Sequence, residues 1–109
     1  LISMNNGLFN AIVTDPPYGI RESQSHRSDI ELLQRLCEVA GRVLVENGRL
    51  VFLTLVECTA STVEGCQKKL ALDIEQMIEE LRLVINIVSL ERFNSRLWRA
   101  TVVLTKEVD

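Results

Sequence analysis

No two of the five glycines, Gly7, Gly19, Gly41, Gly48 and Gly65, stand one residue apart. The chain therefore lacks the Gly-x-Gly turn by which a strand-to-helix corner wraps a nucleotide cofactor. Its three cysteines, Cys37, Cys58 and Cys66, are odd in number and include no Cys-x-x-Cys. Neither a disulfide framework nor a zinc site is indicated. The single His26 has no partner at metal-ligand spacing, so the expectation is no metal and a histidine on polar surface. No apolar run approaches the length of a bilayer span, and no signal peptide is visible. The expected setting is a reducing, cytoplasmic one with no membrane partner. A basic excess is missing too: 12 Lys and Arg face 15 Asp and Glu, giving a net charge of −3, so any attraction for phosphate has to be local.

What is present is the material of a folded domain. Hydrophobic residues make up 47 % and charged residues 25 %, which excludes a disordered chain, and 109 residues suffice for one small domain. Charge is unevenly placed. Arg92, Arg96, Arg99 and Lys106 have no acid among them, whereas Asp73, Glu75, Glu79 and Glu80 gather the opposite sign. The chain opens at Leu1, in what reads as a loop before a strand, as if cut from something longer.

Residues 9–14, Phe-Asn-Ala-Ile-Val-Thr, form a short apolar run stopped by Asp15-Pro16-Pro17, because proline cannot donate to a sheet ladder. Residues 20–27 read as polar loop. Ser28-Asp29-Ile30-Glu31 fits a capping box with Ser28 as N-cap. Ile30, Leu33, Leu36, Cys37, Ala40, Val43 and Leu44 then mark one face of a helix over 29–46, Cys37 being a core thiol, with Asn47-Gly48 as a left-handed exit. Residues 49–55 are nearly all apolar, like a strand covered on both faces. Residues 57–65 read as loop, and Leu70, Ile74, Met77, Ile78 and Leu81 as a second amphipathic helix over 69–82. Strands follow at 83–90 and 100–105, joined by a basic connection. The order β-α-β-α-β-β predicts an α/β fold. Its sheet is mainly parallel with helices on its faces, the first three strands share one sense, and the last two form an antiparallel hairpin.

The stretch Ile12-Val13-Thr14-Asp15-Pro16-Pro17-Tyr18-Gly19 sits where open α/β sheets bind ligands, at the carboxyl end of a strand. Its residue types suit chemistry on an exocyclic base amine. The lone pair of such an amine is delocalised into the ring, so its hydrogens must be oriented and the developing positive charge on nitrogen supported. The Asp15 carboxylate and the Pro16 carbonyl are acceptors able to take the two amine hydrogens. Pro17 stiffens the turn and offers no competing N–H. Tyr18 provides a flat face for an unstacked base, and Gly19 admits close backbone approach. The plainer alternative is a Pro-Pro turn with Asp15 as turn former and Tyr18 as half-buried anchor.

Asp15-Pro16-Pro17-Tyr18 resembles the motif of amino-group methyltransferases acting on adenine, cytosine or guanine. The longer Asp15-Pro16-Pro17-Tyr18-Gly19-Ile20-Arg21-Glu22 is similar to the THUMP-containing tRNA guanosine N2-methyltransferases that modify guanosine 10. His26-Arg27-Ser28-Asp29 and Asn47-Gly48-Arg49-Leu50-Val51 are similar in placement to segments of that family. The resemblance spans most of the chain and is dense over its first third. It implies that Asp15, Pro16 and Tyr18 hold the target base, with Asp15 also beside the cofactor. It further implies S-adenosylmethionine as cofactor, tRNA or another nucleic acid as partner, and an activator subunit as a possible further one. Arg21 and Glu22 are either a salt-bridged loop or tRNA-side contacts.

On this reading residues 1–109 are the C-terminal half of a Rossmann-like class I methyltransferase sheet, a partial catalytic domain. The cofactor's glycine turn, the ribose acid and the THUMP domain are all missing from it. The chain alone is then expected to be inactive, with its first strand left as an uncovered apolar edge. Two alternatives stand beside this one: a DNA adenine-N6-type fragment, and a non-catalytic, methyltransferase-derived binding module or partner subunit.

Overall fold

The computed structural model describes residues 8–15, 26–57, 62–94 and 96–108, with backbone alone for residues 26–30. In chain order the elements are β1 (Phe9–Thr14), α1 (His26–Val43), β2 (Leu44–Glu57), α2 (Val63–Met77), β3 (Leu83–Arg92) and β4 (Leu97–Lys106). The succession of strands and helices is the one the sequence predicts.

The sheet order is β1-β2-β4-β3, with β1 parallel to β2 and β4 antiparallel to both β2 and β3. β1, β2 and β3 therefore share one sense, as expected, and β3–β4 is an antiparallel hairpin. The sheet is not mainly parallel by pairing, since only the β1–β2 ladder is parallel. β4 slots between β2 and β3 because a connection too short for a crossover must return antiparallel, and the free edge of β2 then takes its other side. The architecture is thus α/β, with a four-stranded mixed sheet.

Cross-strand partners point to the same side of a sheet, so the register sorts the two faces. Ile12, Leu50, Leu104 and Ile85 form one row, and Thr14, Phe52, Val102 and Val88 the next. Apart from Thr14, both rows pack with Leu33, Cys37 and Ala40 of α1 and Cys66, Leu70 and Ile74 of α2 into one core. The helices thus lie on one face rather than on both. Successive right-handed crossovers that advance in one direction across a sheet keep their helices on one side. The other face carries the row Val13, Val51, Val103 and Ile87, in which Val13 is 71 % and Ile87 53 % exposed. No described helix covers it. β1 has a described neighbour on one side only, and Phe9 is exposed on it.

Several boundaries differ from the predicted ones. α1 already runs at His26, so Ser28 lies inside its first turn and is not the N-cap. The helix ends at Val43, and Asn47, with φ of 66°, belongs to an excursion within β2 instead of the helix exit. Gly48 is needed there, because a Cβ would stand 2.8 Å from the Val45 carbonyl oxygen. The excursion coincides with the register shift between Phe9 and Ala11. α2 begins at Val63, well before residue 69: Thr62 caps it by accepting from the Gly65 N–H at 3.0 Å. It ends at Met77, and the chain leaves through Glu80 and Arg82, both at positive φ.

Candidate nucleic-acid site at the strand ends

Because β1, β2 and β3 share one sense, Thr14, Glu57 and Arg92 finish toward the same end of the sheet, with Thr14 paired to Phe52, five residues short of Glu57. The β3–β4 turn lies there too. Asp15 follows β1 directly and is exposed at this edge. It stands next to the pair Thr14–Phe52, the last of the β1–β2 ladder, so its backbone is tied to the best-buried strand of the sheet. Pro16, Pro17, Tyr18, Gly19, Arg21 and Glu22 lie outside the described residues. Of the predicted site, the structure therefore places Asp15 alone.

It also brings to this edge a cluster to which the sequence reading gave no role beyond its charge. β3 and β4 extend to Arg92 and from Leu97, so most of the expected basic loop is paired strand. Asn94 ties the remaining turn: its side-chain oxygen accepts from the N–H groups of Arg96 and Leu97 at 2.9 and 2.8 Å. The Phe93 N–H donates to the Leu97 carbonyl at 2.9 Å. Arg92 stacks over the Trp98 ring at 4.5 Å, and Arg99 over Phe93 at 5.3 Å. Arg99 also donates to Glu91 at 3.4 Å, and Arg96 reaches across to Glu57 at 3.3 Å. Arg96 is 78 % exposed in its side chain, so the bridge orients the guanidinium and adds little stability. The signal in sequence was the run of arginines without acids. What it could not show was the hairpin that aims them at the strand ends.

Among the described residues no group of His, Cys, Asp and Glu could hold a metal ion, and no helix is long and apolar enough to cross a membrane. Cys37 is fully buried against the sheet, as expected of a core thiol, and burial, with Glu38 adding to it, pushes its thiol up to about 12.

The RMKL-like, methyltransferase domain model (UPF0020) matches residues 2–81. The search of curated protein sequences gives no match. Among solved structures, a methyltransferase from Pyrococcus furiosus superposes with TM-score 0.59 at 18 % identity, over 94 % of this chain and 43 % of that one. A Thermus thermophilus protein, TTHA0409, named as a candidate DNA modification methylase, gives TM-score 0.59 at 18 % identity, over 95 % and 48 %. The same protein has been solved with S-adenosyl-L-methionine. An S-adenosylmethionine-dependent methyltransferase from Methanosarcina mazei gives TM-score 0.55 at 11 % identity, over 100 % of this chain and 64 % of that one. The chain thus spans less than half the length of the first two, and less than two thirds of the third.

Proposed function

The chain belongs to the RMKL-like methyltransferase domain family, and from that premise we propose that it is the methyl-acceptor half of an S-adenosylmethionine-dependent enzyme. On this reading it methylates an exocyclic base amine in RNA, guanine N2 of a tRNA, in the cytoplasm. The observation that carries the proposal is the emergence of Asp15, followed in sequence by Pro16-Pro17-Tyr18, at the exposed carboxyl end of β1. There Asp15 and the Pro16 carbonyl accept the amine hydrogens and support positive charge as the nitrogen bonds to carbon. Tyr18 stacks on the extruded base, Pro17 and Gly19 shape the turn, and Arg21 and Glu22 meet the RNA beside it.

The residues present do not make a cofactor cradle. There is no Gly-x-Gly, and β1, the strand that bears the motif, has a described neighbour on one side only. The cofactor's main contacts therefore come from a further βα half that pairs with β1 and covers the row Val13–Val51–Val103–Ile87. An activator subunit is a further partner on this reading. A non-catalytic partner subunit is the second reading, favoured by the same missing glycine turn and the net charge of −3.

The test is methyl transfer from labelled S-adenosylmethionine to tRNA by the protein at the full length of its coding sequence, followed by nucleoside analysis. Label in N2-methylguanosine is the expected result. Label in N6-methyladenine would point to the adenine-type alternative, and no transfer at all to the non-catalytic one.

A further inference from the structure

We propose that the β3–β4 hairpin tip is a nucleic-acid backbone clamp, in which Arg92 and Arg96 contact phosphates a few nucleotides along the chain from the one whose base meets Asp15. This rests on the base-amine reading and adds a second contact surface to it.

Three observations support it. The tip lies toward the same end of the sheet as Asp15, three strand spacings across the β1-β2-β4-β3 order (about 14 Å) and three to four residues (roughly 10–13 Å) further along the strands. An offset of this size suits the backbone that leads away from an extruded base. Second, the arginine heads are pre-positioned. Arg92 lies over the buried Trp98 on the helix side of the sheet, and its Nη1 lies 3.5 Å from the Asn94 carbonyl. Arg96 is held by Glu57, whose position in β2 faces the other side, and the Asn94 side-chain oxygen accepts from the Arg96 and Leu97 N–H groups. A guanidinium has five N–H donors in a rigid fork, so stacking or one carboxylate contact leaves donors for a phosphate. Third, the local charge differs from that of the whole chain. Arg92, Arg96 and Arg99 face Glu57 and Glu91, and each of these acids is already engaged by an arginine. Arg99, between Phe93 and Glu91, has a bracing role: it orders the exposed Phe93 ring beside the clamp.

The experiment is fluorescence-anisotropy binding of a labelled single-stranded RNA by the full chain over a salt series. It compares the parent protein, Arg96→Gln, the double variant Arg92→Gln/Arg96→Gln, and Asp15→Ala. Removing two phosphate contacts is expected to lower the slope of log affinity against log salt by about 1.4 and weaken binding about tenfold at 0.1 M salt. Arg96→Gln, whose side chain is on the surface, should give about half that slope change with an unaltered melting temperature. Asp15→Ala should leave the slope unchanged. Equal slopes for parent and both arginine variants would overturn the clamp while leaving the base-amine reading to its own methyl-transfer test. No RNA binding by any of the proteins would overturn the clamp, and if methyl transfer to tRNA were also absent the substrate reading would fall with it.

Discussion

The two faces of the sheet differ in what holds them. On the helix side, Leu50, Phe52, Ala100, Val102 and Leu104 are fully buried under α1 and α2. On the other side, one register step away on the same strands, Val51 and Val103 are half-buried, while Val13 and Ile87 stand exposed. The open face mixes that apolar row with Arg49, Ser89, Thr101 and Thr105, and no described element lies on top of it. Burial on one face is what folds this chain. Apolar surface on the other is what a partnered face retains. The strand ends, where Asp15 and the arginine hairpin sit, join the two faces and carry the polar chemistry.

The comparison can be broken most forcefully from the covered side. Phe52→Ala removes the largest fully buried side chain and is expected to cost about 3–5 kcal/mol of unfolding free energy, read from denaturant melts. That loss would unfold much of the population of a small domain. A loss below about 1 kcal/mol would mean that the helix-covered face is not the core.

Alkali probes the same face. The Cys37 thiol is raised from 9.0 to about 12 by its burial and by Glu38. A thiol that ionises later in the folded than in the unfolded state contributes stability in full below pH 9. That contribution is lost as pH rises from 9 towards 12. Unfolding titrations should show the decline in the parent and a shallower one in Cys37→Ala. Identical slopes would contradict the assignment.

The smallest effect belongs to the open face. Val13→Ser, on the edge strand, should change the stability of the chain by no more than about 0.5 kcal/mol. A loss several times larger, measured on the same protein, would show that this face is covered after all.

Much of the fold was legible because strands and helices announce themselves by apolar period. β1 matches its predicted bounds, and β3 begins where expected. What failed to show had physical reasons. The Thr62 cap lies in a run of small polar residues that read as loop, so α2 starts earlier than its apolar stripe. Residues 91–99 looked like loop because Glu91, Arg92 and Arg99 are charged, yet they pair across a hairpin with their heads in solvent or on rings. The placement of both helices on one face is a matter of crossover handedness and strand insertion, which no local pattern encodes. For the site, Asp15 is at the strand end that the motif implied, whereas the role of the arginines emerged only from topology.

The central claim is that Asp15 holds a reacting amine and is not merely a turn former. The most direct test is Asp15→Ala at full coding length, with single-turnover methyl transfer and thermal stability measured on the same preparation. The account predicts a fall in rate on the order of a hundred- to a thousand-fold, about 3–4 kcal/mol of lost transition-state stabilisation, with an unchanged melting temperature. Near-parent turnover, or a loss of activity that only tracks the loss of folded protein, would contradict it.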